Sequence, residues 1–160
     1  MAALNVEVSG GKKWKKTLSD LAKMKMGVKA GVLGGATTTD GKSIAEYAIY
    51  NEFGTQYIPP RPFLGDTAKR KGKDWAHVLE ATAKGDTTKP ETWERALVLT
   101  GETMKADIQN TIQNGGSEPF APNAESTKKA KKRKGKMEYD HPLIDTGQML
   151  AAISYEVVKE

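Results

Sequence analysis

Three prolines, Pro59, Pro60 and Pro62, bracket a single arginine, Arg61. Nothing else in the chain restricts the backbone as strongly. Each proline fixes φ, removes an amide donor and holds the residue before it extended. A helix and a central strand are both excluded here, so the segment must be a crossing between two elements. Just upstream, Asn51-Glu52-Phe53-Gly54-Thr55 places a glycine where a helix ends on a positive φ. Just downstream, Phe63 and Leu64 open a new helical pattern. A second stiff segment, Pro142-Leu143-Ile144-Asp145-Thr146-Gly147-Gln148-Met149-Leu150, lies near the end. Both segments combine a fixed turn, an apolar plug and one or two polar groups, as contact surfaces between subunits do. An arginine on a stiffened backbone loses less entropy when it binds a carboxylate or phosphate. The alternative is that Arg61 pairs with an acid inside its own chain.

Periodicity supplies the remaining elements. Leu4, Val6 and Val8 alternate as in a half-buried strand. Trp14, Leu18, Leu21 and Ala22 share a helical face from Lys12 to about Met26. Val28, Ala30 and Val32 alternate again. Ser43 and Glu46 form a capping-box pattern ahead of a short helix ending near Glu52. The stretch from Phe63 is helical, with Trp75, Val78 and Leu79 on its apolar face, until Gly85-Asp86. Thr88 and Glu91 form a second capping box for a long helix, about Lys89 to Gln113. Asp145 is placed to cap a short helix through Ala151, and Ile153, Tyr155 and Val157 alternate as a closing strand. These elements predict an α+β fold, one domain over 1–160, with a small antiparallel or mixed sheet of about three to four strands. Helices pack on one face of that sheet. A polar, basic loop, about 117–141, is expected to be functional or flexible.

Composition bounds the chemistry. With no cysteine, disulfides, thiolate zinc sites and thiol nucleophiles are excluded. The two histidines, His77 and His141, have no ligand-spaced partner. Asp145-Thr146-Gly147 has the letters of an aspartic-protease triplet, but that reaction needs two carboxylates sharing a proton. The glycines at 31, 34 and 35 lead into threonines and a turn, so no phosphate loop is expected. We expect no enzyme activity and no cofactor. No stretch has the roughly 18 apolar residues of a membrane span, and the N-terminus lacks the pattern of a signal peptide. The net charge is +5. It concentrates in Lys12, Lys13, Lys15 and Lys16, and more densely in Lys128, Lys129, Lys131, Lys132, Arg133, Lys134 and Lys136. The second run has no interleaved aromatics, so it suits phosphate contact without base reading. A solvated surface loop is its plainer role.

Three blocks in fixed order, Ala45 to Thr55, Ile58 to Leu64 and Pro142 to Tyr155, resemble the small head–tail joining proteins of long-tailed bacteriophages. These are known as neck, tail-completion or tail-component proteins. The resemblance implies a structural virion protein without catalysis. It would form a homo-oligomeric ring, roughly six- or twelve-fold, at the neck, between the portal-adaptor complex and the tail. Its implied partners are a head–tail adaptor or connector, a tail terminator or tail tube protein, and phage DNA passing through the lumen. It would be found in the virion, and in the host cytoplasm during assembly, without a membrane. Phe53, Gly54, Arg61, Phe63, Asp145 and Gly147 match the family's motifs and are the expected subunit-interface residues. The basic run at 128–136 departs from the pattern and is the expected DNA-channel contact. The competing expectations are a tail-tube terminator at the tail end and a small non-specific nucleic-acid-binding protein.

Overall fold

The computed structural model describes residues 11–137 and 139–159, residue 13 by its backbone alone. The elements in order are α1 (Lys12–Lys23), β1 (Met26–Val32), α2 (Ile44–Phe53), α3 (Phe63–Thr82), α4 (Pro90–Asn114), α5 (Glu125–Arg133), α6 (Gln148–Ala151) and β2 (Ile153–Lys159). β1 and β2 pair antiparallel, from Met26 opposite Lys159 to Val32 opposite Ile153. The class is therefore mixed α+β, with a two-stranded sheet among the described residues. The expected strand at Leu4, Val6 and Val8 lies outside those residues.

α4 lies against both strands, and α3 lies against α4. Two clusters fill the interior. One joins Ile44, Phe63, Ile108, Ile112, Leu143, Met149 and Ile153. The other sets Trp93, Ala96 and Leu97 of α4 against Val28, Val157, Leu21 and Met24. The first cluster draws on α2, α3, α4, α6 and β2, so it ties the proline crossing and the C-terminal segment to one body.

α4 reaches the sheet at Gly101. A β-carbon there would stand 2.3 Å from Tyr155 Cδ2 and 2.9 Å from Val28 Cγ2. In an exposed helix, replacing glycine would stabilise by up to about 1 kcal/mol. At this crossing overpacking dominates, typically about 1–3 kcal/mol. Gly101→Val is therefore expected to lower the melting temperature by about 5 °C. A thermal melt in which the variant equals or exceeds the parent would disprove the contact.

Three local expectations need correction. The segment about 117–141 contains a helix, α5. Lys, Ala, Arg and Glu are good helix formers, with Glu125 in the first turn and Lys131, Lys132 and Arg133 in the last, as the helix dipole favours. α5 escapes periodicity because its buried position is a lysine, not an apolar residue. Asp145 does not cap α6: Gly147 stands at the N-cap with φ 77 and ψ 0, and no side chain caps it. Thr88 does not cap α4 either. Its amide and hydroxyl both donate to Asp86 Oδ1, at 3.0 and 2.6 Å, and Pro90 opens the helix without needing a donor partner. The Ser43 cap does form, accepting from the Glu46 amide at 3.2 Å.

Candidate functional site

The proline crossing folds inward. The Arg61 amide donates to the Asn51 carbonyl at 2.6 Å, which locks the crossing onto the end of α2. Between them the chain reverses at Gly54, φ 74 and ψ 173. That region is nearly glycine-only, and a β-carbon there would lie 2.9 Å from both the Ile58 carbonyl and the Pro60 nitrogen. The Arg61 side chain is buried, 6% exposed. Nε donates to the Ala121 carbonyl at 2.8 Å, and the two terminal nitrogens donate to the Pro122 carbonyl at 3.0 Å and Asn51 Oδ1 at 3.2 Å. Phe63 is wholly buried in the core. Neither side chain is offered to a neighbour, which corrects their expected place at a subunit interface. The internal alternative for Arg61 is also changed, because its partners are carbonyls and an amide oxygen, not an acid.

A second clamp holds the C-terminal segment. Lys131 Nζ donates to the carbonyls of His141 at 2.9 Å and Ile144 at 2.5 Å, and the residue is 6% exposed. Leu143 adopts φ 64, rare for a branched residue, with its side chain buried in the core. Lys131 is therefore turned inward, away from the exposed cations of α5. Lys128 is occupied by Glu125 at 3.1 Å and Asp140 at 3.2 Å. Lys134 stands 4.0 Å from the exposed Asp145, and Lys132 lies 4.0 Å over the Tyr139 ring. Lys129, Lys132 and Arg133 remain exposed along α5.

The accessible feature is α2. Its inner side carries Ile44, Ala48, Asn51 and Glu52. Its outer sides are also apolar: Tyr47 is 44% exposed, Ile49 55% and Phe53 71%. Among the described residues, five of the eight large exposed apolar side chains (Tyr47, Ile49, Tyr50, Phe53, Tyr57) lie on α2 and the turn after it, so the patch is concentrated, not scattered. A helix apolar all round is ordinarily covered on every side. Ile49 and Phe53 also border an open groove of about 500 Å3, floored by Val32, Leu64, Trp75 and Met104.

Glu52 closes the polar end of this groove. Burial pushes its carboxyl above the ordinary glutamate value. The amides of Leu64 and Gly65, each donating at 2.8 Å, oppose that rise, and Asp66 adds to it. The carboxylate thereby satisfies the first amides of α3. Phe53, expected at a subunit interface, is exposed, and Ile49, Tyr50 and Tyr57, which the sequence reading does not single out, are exposed beside it. The signal was present, since apolar residues recur on every side of the 44–53 helix.

Among the described residues, no group of acids and histidines is arranged to hold a metal ion, and no helix is long and apolar enough to cross a membrane. The chain matches no protein-family model, and neither a curated protein nor a solved structure is detectably similar to it.

Proposed function

We propose that this chain is a structural subunit of a head–tail joining ring, a neck protein of a long-tailed bacteriophage, whose α2 face packs against the next copy. The observation that carries this reading is the helix that is apolar on its outer sides as well as its inner one, with Phe53 71% exposed. Exposed aromatic anchors beside a groove are what an assembly contact requires. A closed ring of identical subunits joins two different patches. The second apolar pair, Val98 and Leu99, is exposed on α4. The first of the three motif blocks that carry the resemblance to joining proteins contains this face. The exposed cations of α5 suit a channel wall, where contact with DNA must be non-specific and salt-screened.

The isolated chain is expected to be monomeric or weakly associated, and to become a ring in the particle. Particles assembled without it should show filled heads beside unattached tails in electron micrographs. Normal joining in its absence would refute the role. Headless tails of irregular length would instead place it at the tail end, as a terminator.

The exposed cations also favour a second reading, a small nucleic-acid-binding protein. Replacing Lys129 and Arg133 by glutamine separates the two, since both side chains are exposed. Loss of function with intact rings would make DNA contact primary.

A further inference from the structure

The joining role leaves unused a cavity of about 330 Å3 between α2 and α5. Arg61 and Lys131 both line it, and each is 6% exposed. Burying two like charges in one place is costly unless something compensates them. Among the described residues, no carboxylate lies within ion-pair distance of either. Their hydrogen bonds go to neutral oxygens. Both have donors in reserve: Arg61 has five N–H groups and forms three such bonds, and Lys131 has three and forms two.

We propose that this cavity is an anion site for one terminal phosphate group, free or as a monoester. The reserve donors of Arg61 and Lys131 supply the charge. Tyr47, Ser126 and Thr127 also line the cavity and add hydroxyls. Ser126 and Thr127 belong to the first turn of α5, whose amides have no side-chain cap, so the helix terminus adds its positive end. A forked guanidinium, an ammonium and hydroxyl-bearing residues lining one space suit a tetrahedral group of oxygens. Burial depresses the Lys131 ammonium below its ordinary value; Asp145 and Asp140 oppose this from beyond ion-pair distance, while Arg61 and Lys136 add to it. A bound anion would relieve the burial and the repulsion. Asp145 lines the cavity too, exposed and 4.0 Å from Lys134. A bound phosphate would compete with it for Lys134. The burial of the two cations favours a terminal phosphate over an internal phosphodiester, which would have to carry a sugar in on each side. This inference stands apart from ring assembly and does not depend on it.

The test is an NMR titration of the full chain with sodium phosphate against sodium chloride at equal ionic strength. Saturable shifts confined to amides at and beside Tyr47 and Arg61 and of residues 123–134 and 143–145 are expected. At ten times the dissociation constant the melting temperature should rise about 4 °C. Lys131→Met should abolish the saturable response. Lys134→Met, on the exposed rim, should keep the fold and weaken phosphate about three- to tenfold, which preserves the test if the first variant does not fold. Shifts equal to those with chloride, or spread over lysines elsewhere, would overturn the site. A short 5′-phosphorylated oligonucleotide that displaces phosphate, when its 5′-hydroxyl counterpart does not, assigns the group to a nucleic-acid end. Failure of both to compete assigns it to free phosphate. Equal competition by both would overturn the requirement for a terminal group, and the proposal with it.

Discussion

Phe53→Glu is expected to leave the chain folded and to abolish its incorporation at the head–tail junction. The ring of Phe53 is 71% exposed, so its replacement removes little buried area from the isolated protein. Surface substitutions of this kind change stability by about 0.5 kcal/mol or less. In an assembled ring the same side chain would be a central aromatic anchor. Removing such an anchor costs about 2–4 kcal/mol per contact, and burying a carboxylate in its place adds to that. A contact weakened by about 30- to 1000-fold, repeated around a ring, does not close. Particles supplied only with this variant should therefore carry unattached tails, while its melting curve stays within about 2 °C of the parent. Fully joined particles would remove the α2 face from the assembly surface. A collapsed melting curve would show instead that Phe53 serves the monomer.

Arg61→Ala should have the opposite signature, a large loss of stability. Arg61 holds the carbonyls of Ala121 and Pro122 and the amide oxygen of Asn51. Truncation leaves these acceptors without their donor, at about 1–3 kcal/mol for each that stays buried. It also ends the repulsion of Lys131, which offsets part of the loss. A net loss of about 3 kcal/mol is expected, lowering the melting temperature by about 10 °C. The damage should be local first. A protease should cut between residues 117 and 124 in the variant well before it cuts the parent. Arg61→Lys should recover little, because an ammonium donates from one point and cannot span three acceptors on two segments. A variant that melts and digests like the parent would show that the clamp is incidental.

Much of the architecture was legible in order and type. α1 to α4 have apolar spacings or caps that act within a few residues, and β1 and β2 alternate visibly. Ser43 and Gly54 behave as their positions require, because a cap and a positive φ are local matters. The failures share a cause. Thr88 is drawn off by Asp86, two residues away, and no side chain caps α4. Asp145 was assigned a cap on spacing alone, yet Lys134 stands near it and Gly147 begins the helix. α5 was missed because its inward residue is Lys131, whose burial depends on carbonyls at 141 and 144. Lys131 is expected from sequence at a DNA contact, and Arg61 at a partner or an internal acid; neither expectation foresees carbonyls as their partners.

By itself, the chain's order of residues determined the main helical and extended stretches, the Ser43 and Gly54 boundaries of α2, and that cysteine chemistry is absent. These are consequences of short-range sterics and hydrogen bonding, which each segment carries with it. Only the tertiary structure decided which side of a group faces inward. It buried Arg61 and Lys131 beside one cavity and left Phe53 and Ile49 uncovered, because desolvation is set by the elements that close over a side chain, and those come from distant parts of the chain.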